Sequence, residues 1–330
     1  MKWKRQILAL LLLLVITACN HENMPAENAV TKEVAQNQVA DQKETVQPAE
    51  DSVQVQPEVE EEVKAPSEEP AKSELAKNEE IALAYISEFL NSDDVESKKN
   101  YVHEHVLERR QSLFLSAASN ITDESLRFMN PQVIKSKLVD YPGKNVSLVL
   151  IQSGKGSKET KEVIMLLEDS KLVSGYLPST DPQYDLSFNV LREEFAEPKT
   201  PSVPDSQEKD FTQEQKIALG FFKQFLNDND AEGQKDFLNQ HILDSMQLYY
   251  VRYQSLFASM FEDTDLQIME STAYGFKDGT EGSLHLFKSS SGEEIIAVLK
   301  GTYFIMPYKD SERLEEAVVF QRLRRKLQAS

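Results

Sequence analysis

Residues 81–108, IALAYISEFLNSDDVESKKNYVHEHVLE, and residues 217–244, IALGFFKQFLNDNDAEGQKDFLNQHILD, align without a gap and share 11 identities in 28 positions. The likeness continues downstream, where Ser147-Leu148 faces Ser283-Leu284, 163–167 faces 295–299 and Phe188 faces Phe320. A period of roughly 130 residues far exceeds the few tens of residues of a solenoid repeat, so the chain reads as a duplicated domain. One stretch stays open: Gln111-Ser112-Leu113-Phe114 either pairs with 254–257 or is skipped by the main register.

Each copy opens with a helix. Ile81, Ala84, Tyr85 and Phe89 recur at helical spacing, and Ile217, Gly220, Phe221 and Phe225 repeat them, an aromatic stripe of the kind that fills a core. A second helix is expected to start at a capping box, Asp93 with Glu96 and Asn229 with Glu232, where side chains answer the free backbone N–H groups of the first turn. Short apolar runs then predict strands at 126–129, 146–151, 163–167, 172–177, 284–287, 295–299 and 303–306. The turns between them hold Gly, Ser, Lys and Asp, as hairpins require. The expected class is α+β: two duplicated domains, each of two or three helices packed on a curved antiparallel sheet. Their limits are read as 76–197 and 207–330, joined by a linker, 198–206, that carries Pro198, Pro201 and Pro204.

A helix of the form IALxxxxxFLN, a tight acidic turn, a second helix with a YVxxHV or FLxxHI core and then a strand meander resemble the cone-shaped fold of the nuclear transport factor two-like superfamily. That resemblance implies a sheet wrapped around helices. Because the superfamily spans isomerases, dehydratases and plain binding modules, it does not choose an activity.

At the N-terminus, Lys2, Lys4 and Arg5 precede an apolar run from Ile7 to Ile16, shorter than the ~20 residues of a membrane span. The run closes on Ile16-Thr17-Ala18-Cys19, which resembles the bacterial lipobox. The resemblance implies a signal peptide over 1–18, cleavage before Cys19 and two acyl chains on that cysteine, which hold the protein to the outer face of a membrane durably where one chain would not. Cys19 is the only cysteine, so the folded part is expected to hold neither a disulfide nor a thiolate metal site. From 20 to 75 the chain has 14 acidic and 4 basic residues and no aromatic one. Together with Cys19 it reads as an extended acidic tether, 19–75.

From Ala76 onward the charge is −12 of the total −19, which argues against nucleic acid as a partner. The one basic cluster, Arg322, Arg324, Arg325 and Lys326, is expected to be the solvated end of a C-terminal helix.

Few residues offer chemistry. The turn from Asp228 to Gly233 starts like a calcium loop but has Asn239 at the twelfth position, and the first copy has Ser97 where the glycine should be. His103 and His105 stand two apart, a spacing that shares a face on a strand but not on a helix. Gly154-Lys155-Gly156 lacks the rest of a phosphate-binding loop, and Ser206 with Lys209 lies in the linker. No metal or cofactor is expected. The remaining candidates are His105 and His241, at matching positions on the apolar side of the second helix, either as general bases or as core histidines with one buried hydrogen bond each.

The expected function is therefore a membrane-anchored, non-catalytic module that binds a small ligand or a surface protein. The alternatives are an enzyme with His105 or His241 as general base, and a structural spacer or assembly subunit. An open cavity flanked by histidine and a carboxylate would favour the enzyme. One filled by Tyr85, Phe89, Phe221 and Phe225 would favour the other two.

Overall fold

The computed structural model describes residues 68–119, 126–154, 160–196, 209–226, 230–261 and 265–329. The signal peptide, Cys19, nearly all of the tether, the interdomain linker and the turn 227–229 lie outside these.

The first copy runs α1 (Glu68–Ala84), a π-helical continuation (Tyr85–Leu90), α2 (Val95–His105), α3 (Glu108–Ala118), then strands β1 (Pro131–Tyr141), β2 (Lys144–Ser153), β3 (Glu162–Glu168) and β4 (Lys171–Tyr176), and closes with α4 (Pro182–Arg192) and a short 3-10 turn (Glu193–Phe195). The second repeats it: α5 (Thr212–Gly220), a π segment (Phe221–Phe225), α6 (Ala231–His241), α7 (Asp244–Met260), β5 (Leu266–Gly275), β6 (Glu281–Ser289), β7 (Glu294–Lys300), β8 (Tyr303–Lys309) and α8 (Leu314–Gln328). Each sheet is an antiparallel meander in sequence order. The protein is α+β, with one such sheet in each half.

The likeness of the copies extends to irregularities. Both first helices widen to a π turn at the same place, closed by Asn91 N–H to Ile86 O and Leu226 N–H to Phe221 O. Both edge strands carry a bulge, at Ile134 and at Met269, where the pairing register shifts. The open stretch is settled by side chains: Gln111 Nε2 donates to Val106 O and Gln247 Nε2 to Ile242 O, so Gln111 corresponds to Gln247 and Phe114 to Tyr250 in the gapless register.

Several expectations shift. Helix α1 begins at Glu68, inside the stretch assigned to the tether. Its residues Ala, Lys, Glu and Leu are good helix formers, and Pro70 falls in the first turn, where a missing N–H costs nothing. The cap of α2 is Asp94, whose carboxylate accepts from Glu96 N–H, and that of α6 is Asp230, which accepts from Gly233 N–H. Asp93 instead pairs with Arg127. Residues 126–129 are not a strand. There Asn91 clamps Phe128 by two hydrogen bonds, Nδ2 to Phe128 O at 2.8 Å and Phe128 N–H to Oδ1 at 2.9 Å.

Both faces of each sheet are covered. In the first, Val149, Ile151, Val163, Met165, Leu167 and Leu172 pack under α1–α3, while the alternate residues Val146, Leu148, Leu150, Ile164, Leu166 and Val173 join a second core. That core includes Leu186, Phe188, Val190 and Leu191 of α4, Val318, Val319, Phe320 and Leu323 of α8, and the interior of the second copy. Helices α4 and α8 lie against each other, and each touches the last strand of the other copy. The halves are thus not beads on a linker but share a core. Two equivalent tyrosines seal the crossing: Tyr176 Oη donates to Glu315 O at 3.0 Å, and Tyr308 Oη meets Ser187 Oγ at 3.1 Å.

The basic cluster is likewise not a solvated helix end. Arg324 binds Glu294 at 3.0 Å, the duplicate of Arg192 with Glu162 at 3.1 Å. Beyond that point the copies diverge in sign. Glu193 and Glu194 of the first stand where the second has Arg325 and Lys326, and they pair across the interface: Arg325 to Glu194 at 2.8 Å, Lys326 to Glu193 at 2.5 Å, Arg322 to Glu194 at 3.2 Å. Burial works to raise the Glu194 carboxyl, but Lys137, Arg322 and Arg325 together hold it below the usual carboxylate range.

Candidate functional site

A cone-shaped domain would place its pocket between the helices and the sheet. In both copies that space is filled with rings. Tyr85 stacks on Phe89 at 5.1 Å and meets Tyr101 and Phe114 at 5.8 and 6.1 Å. Phe221 stacks on Phe304 at 4.1 Å and on Phe225 at 5.3 Å, with Phe237, Tyr250 and Phe257 around it. Tyr85 and Phe89, like Phe221 and Phe225, stand four residues apart and so share one face of the helix that each π segment continues.

Each sequence-predicted histidine lies against an aromatic ring of its own helix. His105, in the last turn of α2, lies beside the Tyr101 ring at 5.0 Å, and its Nε2 is 3.8 Å from Glu104, a carboxylate three-quarters exposed. His241, in the last turn of α6, lies beside Phe237 at 5.3 Å, and its buried Nδ1 has no hydrogen-bond partner. The one buried hydrogen bond expected of each core histidine is therefore absent from the described contacts. What each ring contributes is an aromatic contact, worth ~0.5–1.5 kcal/mol. His105→Ala and His241→Ala should each lower the unfolding free energy by no more than ~1.5 kcal/mol. A larger loss in urea titration would mean a hydrogen bond missing from this geometry.

His103 is exposed. Among the described residues, no group of three His, Cys, Asp or Glu side chains is arranged to hold a metal ion, and no helix is long and apolar enough to cross a membrane.

A cleft of about 690 Å³ does open where the copies meet, lined by Arg109, Tyr141 and Lys144 of the first and Asp310, Ser311 and Glu312 of the second. Arg109 lies in the first turn of α3 and Lys144 starts β2. Both engage the buried Glu168, Lys144 at 3.0 Å. Burial works to raise Glu168, but the hydrogen bonds and charges of Arg109 and Lys144 hold its carboxyl low. The Lys144 ammonium lies 5.9 Å over the Tyr141 ring, and burial, then the Asp310 and Glu168 charges, push the Tyr141 hydroxyl up. On the other wall Ser311 Oγ accepts from Arg313 N–H at 3.1 Å, and Asp310 accepts from Gln321 at 3.1 Å. One wall is cationic and aromatic, the other acidic. Such a cleft can hold a polar or charged surface, and its Ser311 hydroxyl donates to the Glu316 carboxylate at 3.1 Å.

Arg110 and His285 are among the buried polar groups that escaped the sequence reading. Arg110 follows the apolar spacing of Leu113, Phe114 and Ala117 on α3, where the second copy has Met246; its guanidinium reaches Glu315 at 2.8 Å and Val173 O at 3.2 Å. His285 sits inside the apolar alternation of β6, hydrogen-bonded by Ser271 and Ser283. A charged or basic residue inside an apolar pattern was the available signal in both cases.

Comparison of the chain with protein-family models, with curated proteins and with solved structures finds no match.

Proposed function

We propose that this is a lipid-anchored extracytoplasmic protein whose folded part binds a partner without transforming it. The observation that carries the reading is the pair of ring clusters around Tyr85 and Phe221, which occupy the space where a cone-shaped enzyme would hold substrate. The mixed-charge cleft between the copies offers a surface for a ligand or a surface protein, and the lipobox at Cys19 supports the anchor.

Two measurements test the two parts. Cys19→Ser should abolish acylation and leave an uncleaved precursor; incorporation of labelled fatty acid by that variant would defeat the anchor. For binding, native mass spectrometry of the protein extracted from its membrane in mild detergent should find an added mass, lost when Lys144 is changed to Glu. An extract without any added mass would shift the reading to a spacer. Turnover of a compound in the extract that disappears with His105→Ala or His241→Ala would restore the enzyme.

A further inference from the structure

His285 lies on the central strand β6 and is fully buried. Its Nδ1 is 2.9 Å from Ser271 Oγ on β5, and its Nε2 is 2.8 Å from Ser283 Oγ two residues back on its own strand. The chain continues outward, since Gln215 Nε2 on α5 donates to Ser271 Oγ at 2.9 Å. The Phe211 ring, just before α5, meets the imidazole edge-on at 5.9 Å. The start of α5 is thereby tied to the sheet through this imidazole and its serine.

Either neutral tautomer fits the donors and acceptors: the Ser271 hydroxyl donates to Nδ1 while Nε2–H donates to Ser283 Oγ, or the Ser283 hydroxyl donates to Nε2 while Nδ1–H and Gln215 both donate to Ser271 Oγ. In each, a second proton on the ring would face a serine hydroxyl proton, and that hydroxyl would have to turn away.

Among the described residues, no carboxylate acts on the ring. The strands β5, β6 and β7 present Ser271, Ser283 and Ala297 at the ring's register positions. From the α5 side the charge that reaches it is Lys209, of the same sign, partly answered by Glu214 at 3.9 Å. The first copy lacks the group: the position matching His285 is Val149, although Ser136 and Ser147 keep the two serines.

We propose that His285 is a proton-sensitive joint, and that mild acidification loosens residues 209–220 from the second sheet while the matching stretch of α1 stays closed. Burial first, and the Lys209 charge second, lower the imidazole to about 4 from an ordinary value of 6.5. A group whose folded value is depressed favours closure fully above its open value and loses that contribution as pH falls toward its folded value. The opening constant should therefore rise roughly 20-fold by pH 5 and roughly 100-fold by pH 4, both relative to pH 7.

Hydrogen exchange of the intact chain in detergent at pH 7, 5.5 and 4.5, corrected for intrinsic exchange, reads this directly. Peptides from 209–220 should lose protection relative to those from 73–84, and the difference should vanish in His285→Val, the residue the first copy uses. An equal response of both stretches, or a response that survives His285→Val, overturns the joint. Should that variant fail to fold, the ring of the unaltered protein can be titrated by its Cε1–H resonance, where a midpoint above about 6 overturns it equally.

Discussion

Replacing Arg110 with Met, the residue at the same place in the second copy, should cost about 3 kcal/mol of unfolding free energy although it exchanges a charge for an apolar group of similar length. Both partners of the pair are nearly out of water, Arg110 at 4% exposure and Glu315 at 7%. Removing one leaves the other charged in a low-dielectric setting, a loss of ~3–5 kcal/mol for buried pairs. The lower end applies to Arg110→Met because Arg313 still reaches Glu315 at 3.3 Å. Glu315→Leu should cost more, about 4–5 kcal/mol, since the buried guanidinium would lose its carboxylate partner, while Arg313, partly exposed, is the one spared in Arg110→Met. The double variant removes both charges and should return to within ~1 kcal/mol of the original. Urea unfolding of the four proteins gives the coupling energy. Two additive losses would mean that the pair does not hold the halves together.

Phe221→Ala should be the most damaging single change in the second half, at ~3–5 kcal/mol. The ring is fully buried and stacked between Phe225 and Phe304, with edge contacts to Phe222, Phe237, Tyr250 and Phe257. The neighbours belong to α6, α7, β8 and the π turn itself, elements whose positions are fixed by other packing, so the void cannot collapse. Tyr85→Ala, the matching change in the first copy, should cost a comparable amount. Because α4 and α8 join the two cores, the denaturant midpoint of the whole chain should fall in both cases. If Phe221→Ala lowers stability by less than ~1.5 kcal/mol while the sheet space takes up a hydrophobic dye, the rings line a pliable pocket, and the binding reading moves from the cleft to the cone.

The legible parts were those written in short-range pattern. The aromatic stripe at helical spacing marked α1 and α5, and the apolar runs marked β2, β3, β4, β6, β7 and β8, because a strand buried on both faces is apolar throughout. The first strands of the two sheets, β1 and β5, went unread: their residues are mostly half-exposed or exposed, so no apolar run marks them. Caps were read one residue early, since Asp93 and Asp94 look alike in sequence and only the backbone angle at Asp94 distinguishes them. As for the site, Cys19 rests on sequence alone, while His105 and His241 were legible as apolar-face residues and lie beside Tyr101 and Phe237, apart from the residues that line the cleft between the copies.

Local spacing and self-similarity thus suffice for the α+β class, the duplication and the order helix, helix, meander, because each depends on residues within a few turns of one another. Three things depend on residues more than a hundred positions apart, and so on tertiary packing. One is that α4 and α8 close the second face of both sheets into a shared core. Another is that Arg110 finds Glu315. The last is that the basic tail of α8 meets Glu193 and Glu194 at the place where the copies carry opposite charge. A cation has the same sequence signature whether it faces water or a carboxylate from the other copy, and only the fold brings the partner to it.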